Sequence, residues 1–321
     1  MKKGKIFSIV LAAAMVLNIG TAVFADTSLT DQSTVRVNKT YIAENEGTTS
    51  PRDTFALEQL DSAVTDGDAQ TAPDLVLGGC MVAEGAATTA GGAGEFVITL
   101  PEYTKVGVYE YTLEESIGNT AGVTYRATPF KVIVTVVNGD DGKLIRIPAV
   151  HTEEDGEPKM NDIENVYSAG ELDITKTVTG NLGDKDKYFT FNVMLEPVED
   201  KYYMESYVVE GGSNAQNPAT IKIGEMTQFY LKDGDTIKIS NLPYDVKYTV
   251  TEDEVDGYNT TSTGDEGIID SALETAAFTN DKNGTIDTGI ILNNTPYIVM
   301  ITVIAAAAVV MIVVKRNKNR K

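Results

Sequence analysis

The sequence predicts an all-β protein made of two tandem β-sandwich domains, and three observations support this fold class. Helical periodicity is nearly absent between residues 26 and 285, where apolar and polar residues alternate with the period of two that strands require. Short runs of β-branched and aromatic residues are separated by turn signals, which is the pattern of antiparallel sandwiches. The length of 321 residues, at roughly 100–200 residues per domain, suggests about two domains.

The clearest predicted strand covers 130–137, a run of β-branched residues led by a phenylalanine, with the polar residues Lys131 and Thr135 on the face opposite Val132 and Val134. Turn signals rich in Asn, Asp and Gly lie at 138–142, 232–235 and 256–257. The segment 65–94 is instead rich in Gly, Ala and Thr and weakly patterned, so we expect long loops there. Cys80 lies in this segment. As the only cysteine it excludes an intramolecular disulfide, and we interpret it as a small, semi-buried residue.

Three short motifs occur twice in the same order, which indicates an internal repeat. The run 35–41 matches 172–178, the run 111–115 matches 248–252, and each copy closes on an asparagine, at 163–165 and at 278–280. The lysine of the first motif and the glutamate of the second have the same spacing in both copies, since 115 − 39 and 252 − 176 both equal 76. An equal spacing in two copies is strong evidence for duplication.

These copies and the two chain ends divide the sequence into four predicted parts. The parts are a signal peptide at 1–25, a first domain at 26–168, a second domain at 171–282, and a segment at 285–321 with a sorting-signal-like motif, a transmembrane helix and a basic tail. Only a few residues separate the two domains. We therefore expect a fairly stiff rod rather than two freely jointed units.

Residues 1–25 have the features of a secretory signal peptide. Three lysines precede an apolar stretch at 6–17, and small residues occupy the −3 and −1 positions before Asp26. An N-terminal membrane anchor is the alternative, but the apolar stretch is short for a membrane span. We therefore expect the following chain to be exported.

The other end predicts a transmembrane helix with a cytoplasmic tail. Residues 288–314 contain 27 positions without a charge, enough to span the roughly 30 Å hydrocarbon core, and we place the membrane helix at 295–314. The lysines and arginines of 315–321 favour a cytoplasmic location for the tail. The middle of the chain is then held at the outer face of a membrane.

Charge and composition exclude several classes of function. The chain has 47 acidic and 26 basic residues, and eight of the basic residues lie in the two ends, which leaves a net charge of −29 between them. Such a chain repels nucleic acid. One histidine, one cysteine and no tryptophan leave little for metal or thiol chemistry, so we predict no metal and no cofactor. No catalytic triad can be argued around His151, and we predict that the protein is not an enzyme.

One polar residue in each repeated motif falls on the apolar face of its predicted strand. Lys176 shares a face with Leu172 and Ile174, because side chains of a strand alternate with a period of two. The same test places five further polar residues in phase with apolar neighbours: Lys39, Glu115, Asn165, Glu252 and Asn280. Each copy is therefore expected to direct one Lys, one Glu and one Asn into its interior.

Burial gives these three residue types a specific reactivity. Loss of water shifts a lysine toward the neutral amine and a glutamate toward the neutral acid. The amine is a nucleophile, the carboxamide is an acyl acceptor, and the acid can pass protons to the leaving ammonia. The predicted product is a Lys–Asn isopeptide bond between the first and last strands of each domain. The alternative, an unreacted ion pair, adds little net stability and gives no reason for the triple to recur.

These residues resemble those of streptococcal-type two-domain major pilins and related Gram-positive surface proteins with isopeptide-linked, immunoglobulin-like domains of the CnaB type. The second copy carries the motifs most fully, at 172–176, 242–243, 248–252, 257–258 and 278–280. The resemblance implies a Lys176–Asn280 bond assisted by Glu252, and a Lys39–Asn165 bond assisted by Glu115. In the first copy Ile163-Glu164 replaces the aromatic residue that the family usually has before the asparagine.

The resemblance also implies a cell-wall sorting signal. In this family a sortase cleaves after the threonine of a motif that ends in Thr-Gly, and joins that threonine to an amine. Thr288 and Gly289 occupy this place, so Thr288 would be the acyl donor. Asp287 stands where the family has a proline, whose ring would fix an extended bend, and no leucine precedes it. A retained membrane anchor is therefore the competing expectation.

Pilins of this type also need a lysine that attacks the acyl-enzyme of another subunit. Lys159, in the run 157–161 before the last strand of the first domain, has surroundings that resemble this site. An ordinary exposed lysine is the alternative interpretation. The partners implied by the resemblance are a sortase, other pilin subunits and peptidoglycan.

The function that these features favour is structural: an exported cell-surface pilin or stalk subunit, hardened by isopeptide bonds and attached or polymerised by a sortase. The alternative is a membrane-anchored adhesin, whose 65–94 loops or sandwich ends would bind a host or matrix ligand without polymerisation. In either case the protein is expected at the cell surface, attached to the cell wall or the plasma membrane.

Overall fold

The protein, seen here in a computed structural model, is described over residues 29–126, 128–140, 142–152, 162–285, 296–304 and 311. The strands of the first copy are β1 (Thr34–Ala43), β2 (Asp53–Phe55), β3 (Leu57–Gly67), β4 (Val76–Leu77), β5 (Cys80–Val82), β6 (Gly92–Thr99), β7 (Gly107–Glu115), β8 (Val123–Thr124), β9 (Phe130–Asn138), β10 (Leu144–Thr152) and β11 (Asp162–Tyr167). Those of the second copy are β12 (Ala169–Thr179), β13 (Phe189–Glu196), β14 (Tyr207–Gly211), β15 (Thr220–Ile221), β16 (Thr227–Leu231), β17 (Thr236–Pro243), β18 (Lys247–Glu252), β19 (Asn259–Thr263), β20 (Glu266–Ile268) and β21 (Leu273–Asp281). The described chain is mostly β, which confirms the predicted class at this level.

Each copy contains two main sheets. In the first copy their strand orders are β4-β6-β1-β11-β8 and β10-β9-β7-β3, and β2 and β5 form a separate pair. In the second copy they are β15-β14-β17-β12-β21-β19 and β16-β13-β18-β20. Apolar residues from both main sheets are packed into one core in each copy. This core is the environment into which the repeated polar residues point.

The first and last long strands of each copy lie side by side and run parallel. β1 pairs with β11, which places Lys39 opposite Ile163, and β12 pairs with β21, which places Lys176 opposite Phe278. The sequence pattern suggested antiparallel sandwiches, and these two pairs depart from that expectation. Their strands are joined by a long intervening chain rather than a tight hairpin, so parallel pairing is available to them.

β1 and β12 have the alternating burial that the sequence predicts. In β1 the buried positions include Val35, Val37 and Lys39, with more exposed residues between them. In β12 the buried positions include Ile174 and Lys176, again with a period of two. The lysine of each strand therefore lies in the core and not on the surface.

The segment 65–94, predicted as long loops, contains more structure than expected. β3 extends to Gly67, β4 and β5 lie within the segment, and β6 begins at Gly92. β4 has two residues and β5 has three, which is too short for alternation to be visible in the sequence. Cys80, in β5, is buried at 4% exposure rather than semi-buried.

The two copies contact each other through backbone and side-chain hydrogen bonds. The Tyr202 amide donates to the Asn119 carbonyl at 2.8 Å, and the Ala121 amide donates to the Tyr202 carbonyl at 2.9 Å. The side chain of Asn241 makes two bonds to one residue of the first copy: its Nδ2 donates to the Thr49 carbonyl, and its Oδ1 accepts from the Thr49 amide, both at 2.8 Å. The joint is therefore a hydrogen-bonded contact as well as a short peptide connection.

The predicted signal peptide at 1–25 lies outside the described residues. Near the other end, residues 296–304 form a helix, and most of the predicted span at 288–314 also lies outside the described ranges. Among the helices of the described chain, none is both long enough and apolar enough to cross a membrane.

Candidate functional site: two buried Lys–Glu–Asn clusters

The structure brings together the three predicted residues of the first copy. Nζ of Lys39 donates to Oε2 of Glu115 at 2.7 Å, and Nδ2 of Asn165 donates to the other oxygen, Oε1, of the same carboxyl group. The side chains of Lys39 and Glu115 are fully buried, and Asn165 is buried as well. One carboxyl group thus holds the amine and the carboxamide together.

The second copy repeats this arrangement with its own three residues. Nζ of Lys176 donates to Oε2 of Glu252 at 2.6 Å, and Nδ2 of Asn280 donates to Oε1 of Glu252. The side chain of Lys176 is fully buried and that of Glu252 is 1% exposed. The correspondence extends to individual atoms, so the cluster is a property of the repeat and not of one local accident.

Strand register explains why the same residues meet in both copies. Asn165 lies two positions beyond the residue that opposes Lys39 on the parallel neighbour, and Asn280 has the same offset from Lys176. An offset of two keeps the lysine and the asparagine on one face of the sheet. Glu115 and Glu252 lie at the ends of β7 and β18, which belong to the other main sheet. The cluster therefore bridges the two sheets of its copy.

Burial changes the protonation chemistry of the cluster. Loss of water lowers the pKa of Lys39 and of Lys176, although the neighbouring glutamate of each opposes this shift. Burial also raises the pKa of Glu115 against the effect of Lys39. The direction of all three shifts is toward a neutral amine and a neutral carboxylic acid. These are the forms that nucleophilic attack and proton transfer require.

Aromatic rings form the apolar wall around each lysine. Nζ of Lys39 lies 4.5 Å from the ring centroid of Phe55, and Nζ of Lys176 lies 4.4 Å from that of Phe189. Phe96 and Phe191 lie farther out, at 6.0 and 5.6 Å. Sequence reasoning did not identify these residues. The Phe189–Phe191 alternation was a visible signal, whereas Phe55 comes from a three-residue strand and gave none.

Cys80 borders the first cluster but is not one of its predicted members. Gly94 lies opposite Lys39 in the strand register. A Cβ atom added at Gly94 would lie 2.6 Å from Sγ of Cys80. The glycine therefore leaves the room that the sulfur fills beside the stem of Lys39. Burial raises the pKa of the Cys80 thiol, which keeps it in the neutral, unreactive form.

Three predicted site residues lie outside the described residues. They are Thr288 and Gly289 of the sorting-signal-like motif and the candidate pilus lysine, Lys159. Their roles stay predictions.

Comparison with known proteins identifies relatives of both copies. Residues 35–168 match the family described as a Spy0128-like isopeptide containing domain, and residues 170–282 match a domain family of unknown function. A curated pilin of Streptococcus pyogenes serotype M1 is 30% identical over 230 residues, which are 64% of this chain and 67% of the relative. The pilus tip adhesin Cpa of Streptococcus pyogenes is 31% identical over 126 residues, but these are only 18% of its length.

Solved structures show the same fold. The major pilin from Streptococcus pyogenes superposes with a TM-score of 0.52 at 22% identity, over 79% of this chain and all of the pilin chain. The major pilin T-13 of the same organism gives a TM-score of 0.54 at 20% identity, over 79% of this chain and 99% of that one. The curated relative and the family match show that the chain belongs to the Gram-positive pilins that carry a Spy0128-like isopeptide containing domain, and that it is a structural pilus subunit and not an enzyme.

Proposed function

We propose that this pilus subunit is hardened by two intramolecular isopeptide bonds, Lys39–Asn165 and Lys176–Asn280, which form inside the folded chain without an external enzyme. The single observation that carries the proposal is the shared carboxyl group. Glu115 and Glu252 each contact the lysine amine with one oxygen and the asparagine amide with the other, and the side chains of both Lys–Glu pairs are at most 1% exposed.

The reaction balances within the three side chains. Nζ of the neutral lysine attacks Cγ of the asparagine, and a new N–C bond forms as the Cγ–Nδ2 bond breaks. The glutamic acid gives its proton to the departing nitrogen and regains one from the attacking amine, so that ammonia leaves and the carboxyl group ends unchanged. Each bond therefore removes the mass of one ammonia from the chain.

The bonds have a mechanical consequence that suits a stalk. In each copy the link would join two parallel neighbouring strands, β1 to β11 and β12 to β21. Tension applied along the chain would pass across the link and bypass the long segment between the two strands. The same link restricts the unfolded chain, as a disulfide does, but needs no oxidant and no second cysteine.

We also propose that the copies are two tandem immunoglobulin-like domains of the CnaB type, at 26–168 and 171–282. Two observations support this organisation. Each copy has its own apolar core, with the boundary near Ala169 and Leu172. The two family matches, 35–168 and 170–282, also divide the chain at this point.

The intact mass of the purified exported region tests the isopeptide bonds. We expect it to fall short of the sequence mass by two ammonia molecules, and to fall short by one in a Lys39→Ala or a Lys176→Ala chain. Peptide mapping should show that the copy with the substitution lacks its Lys–Asn bond and that the other copy retains it. A full sequence mass in the unsubstituted, folded chain would exclude both bonds.

Attachment and polymerisation complete the proposal. We infer that residues 1–25 direct export, that 295–314 hold the chain in the membrane, and that a sortase joins Thr288 to Lys159 of another subunit or to peptidoglycan. The pilin relatives and the Thr288-Gly289 pair support this step.

With its sortase, the chain should give a boiling-resistant ladder of multimers that a Lys159→Ala chain lacks. A ladder that persists in that variant would remove Lys159 from the role, and a single membrane-bound band in the parent chain would favour a retained anchor.

A further inference from the structure

The two clusters differ at one reacting atom, the carbonyl oxygen of the asparagine. In the first copy Oδ1 of Asn165 accepts a hydrogen bond from the backbone amide of Arg126 at 3.0 Å. In the second copy Oδ1 of Asn280 is equally buried, and no group in the described part of the chain donates to it. The carboxamide of the first copy is therefore bound at both ends, and that of the second at its nitrogen only.

The difference has a cause in the strands that flank the asparagines. β8 pairs with β11 through only two residues, Val123 and Thr124, so the following backbone is not committed to the sheet and the Arg126 amide reaches the side chain of Asn165. β19 pairs with β21 through five residues, including the pair Thr260–Asn280. In that longer ladder the backbone beside the asparagine pairs with the sheet.

We propose that the backbone amide of Arg126 is a catalytic group for the isopeptide bond of the first copy, and that the second copy reacts without an equivalent donor. This inference rests on the proposed Lys–Asn bonds. The Arg126 amide acts on Oδ1, where negative charge develops when the lysine attacks, and it also fixes which end of the carboxamide faces the glutamate.

The Arg126 amide and the Glu115 carboxyl group then have separate roles in the reaction at Asn165. Attack by Nζ of Lys39 on Cγ moves the carbonyl electron pair onto Oδ1, and the Arg126 amide stabilises that charge by a hydrogen bond already in place. With Oδ1 held there, Nδ2 faces Glu115, which protonates it. Return of the electron pair restores the carbonyl and expels ammonia, and the Glu115 carboxylate takes up the extra proton from Nζ of Lys39. The second copy has only Glu252 for both tasks among the described groups.

A matched pair of glutamate substitutions tests whether the first copy has a second catalytic group that the second copy lacks. Each chain, Glu115→Ala or Glu252→Ala, is purified in denaturant, refolded and sampled over time, and the Lys–Asn linked peptides of both copies are counted by mass spectrometry. A preorganised donor of this kind is worth roughly 10²–10³-fold in rate. We therefore expect Glu115→Ala to retain slow linking in the first copy, on the order of 10²-fold faster than the residual linking of the second copy in Glu252→Ala.

A second pair of variants acts on the donor itself. Arg126→Pro removes the amide hydrogen, whereas Arg126→Ala keeps it and removes only the side chain. We expect Arg126→Pro to slow linking of the first copy on the order of 10²-fold, with no change in Arg126→Ala. The linking rate of the second copy in the same molecule is the internal reference, and it reports whether refolding itself has succeeded.

The outcomes distinguish the isopeptide bonds themselves from the role of the Arg126 amide. Failure of the unsubstituted chain to link in either copy would contradict the isopeptide bonds themselves. Normal linking in that chain, with equal residual rates in the two glutamate variants, would overturn the role of the Arg126 amide and leave the bonds intact. Should Arg126→Pro disturb the first copy's fold, seen in its amide spectrum, the glutamate pair alone decides.

Discussion

At the scale of single residues, the reactivity of the clusters depends on how burial changes two opposed pKa values. The pKa of Glu115 is raised from its ordinary 4.5, and that of Lys39 is lowered from its ordinary 10.5, mainly because both side chains have lost water. The reactive state of the pair carries one proton, on the glutamate. That state is flanked by a doubly protonated pair at low pH and by an unprotonated pair at high pH.

We therefore predict a bell-shaped dependence of linking rate on pH in the first copy. The two groups share the single proton, so on the acid side a second proton leaves both of them protonated and the amine without a lone pair; because burial raises the Glu115 pKa, this loss lies above pH 4.5. On the alkaline side no proton remains for the leaving ammonia, and because the Lys39 pKa is lowered, this loss lies below pH 10.5. The measurement is the linking rate on refolding across this range; a rate that still rises at pH 10.5 would contradict it.

The main members of the clusters were predictable from the sequence, because each of the six is a polar residue at a position where the period-two pattern of its strand would place an apolar one. Burial of these residues confirms that part of the prediction. Phe55 and the Arg126 amide were not predictable. Phe55 belongs to a three-residue strand, and a backbone amide carries no residue-type signal, so only the three-dimensional arrangement shows that either one reaches the cluster.

At the scale of elements, the parallel pairing of the first and last strands determines what each link contributes to stability. In the second copy Lys176 and Asn280 are 104 residues apart, since 280 − 176 = 104. Closing a loop of about this length in the unfolded chain is worth roughly 4–5 kcal/mol in the chain-entropy model. The link should therefore be one of the larger single contributions to the folding free energy of that copy.

We predict that Lys176→Met combined with Glu252→Gln lowers the unfolding free energy of the second copy by about 4 kcal/mol. Methionine keeps most of the apolar stem, and glutamine avoids leaving a buried carboxylate without its cation. Denaturant unfolding followed by a probe in the second copy measures the loss. Lys222→Met is the matched control, because it removes only an exposed ion pair with Glu225 and should shift the midpoint little. Equal shifts in the two chains would contradict the predicted contribution of the link.

Strand pairing was the part of the fold that the sequence predicted least well. Alternation identifies a strand such as β9 and the face that it buries, but not the strand beside it. The parallel β1–β11 and β12–β21 pairs depend on contacts between distant residues. The short strands β4 and β5 fall below the length at which a pattern can be recognised. The repeat, in contrast, was visible because it preserves spacing.

At the scale of the whole molecule, the joint between the copies determines whether two hardened units also make a stiff stalk. Asn45 donates to the Ala169 carbonyl at 2.9 Å and to the Tyr244 hydroxyl at 2.8 Å, and both acceptors lie beyond the end of the first copy. Asn241 adds two bonds to the backbone of Thr49, so each copy supplies an asparagine side chain that binds the other copy across the joint.

We predict that Asn241→Gly loosens the joint without unfolding either copy. Asn241 has a φ of 64°, a left-handed conformation that glycine adopts readily, so the substitution removes the two bonds to Thr49 with little backbone strain. Amide relaxation should show the copies tumbling more independently, while the unfolding midpoint of each stays close to that of the parent chain. Asn241→Asp keeps the acceptor but loses the donor, so its copies should tumble more independently than those of the parent chain and less independently than those of Asn241→Gly. Identical tumbling of the glycine variant and the parent would mean that the other contacts alone hold the joint.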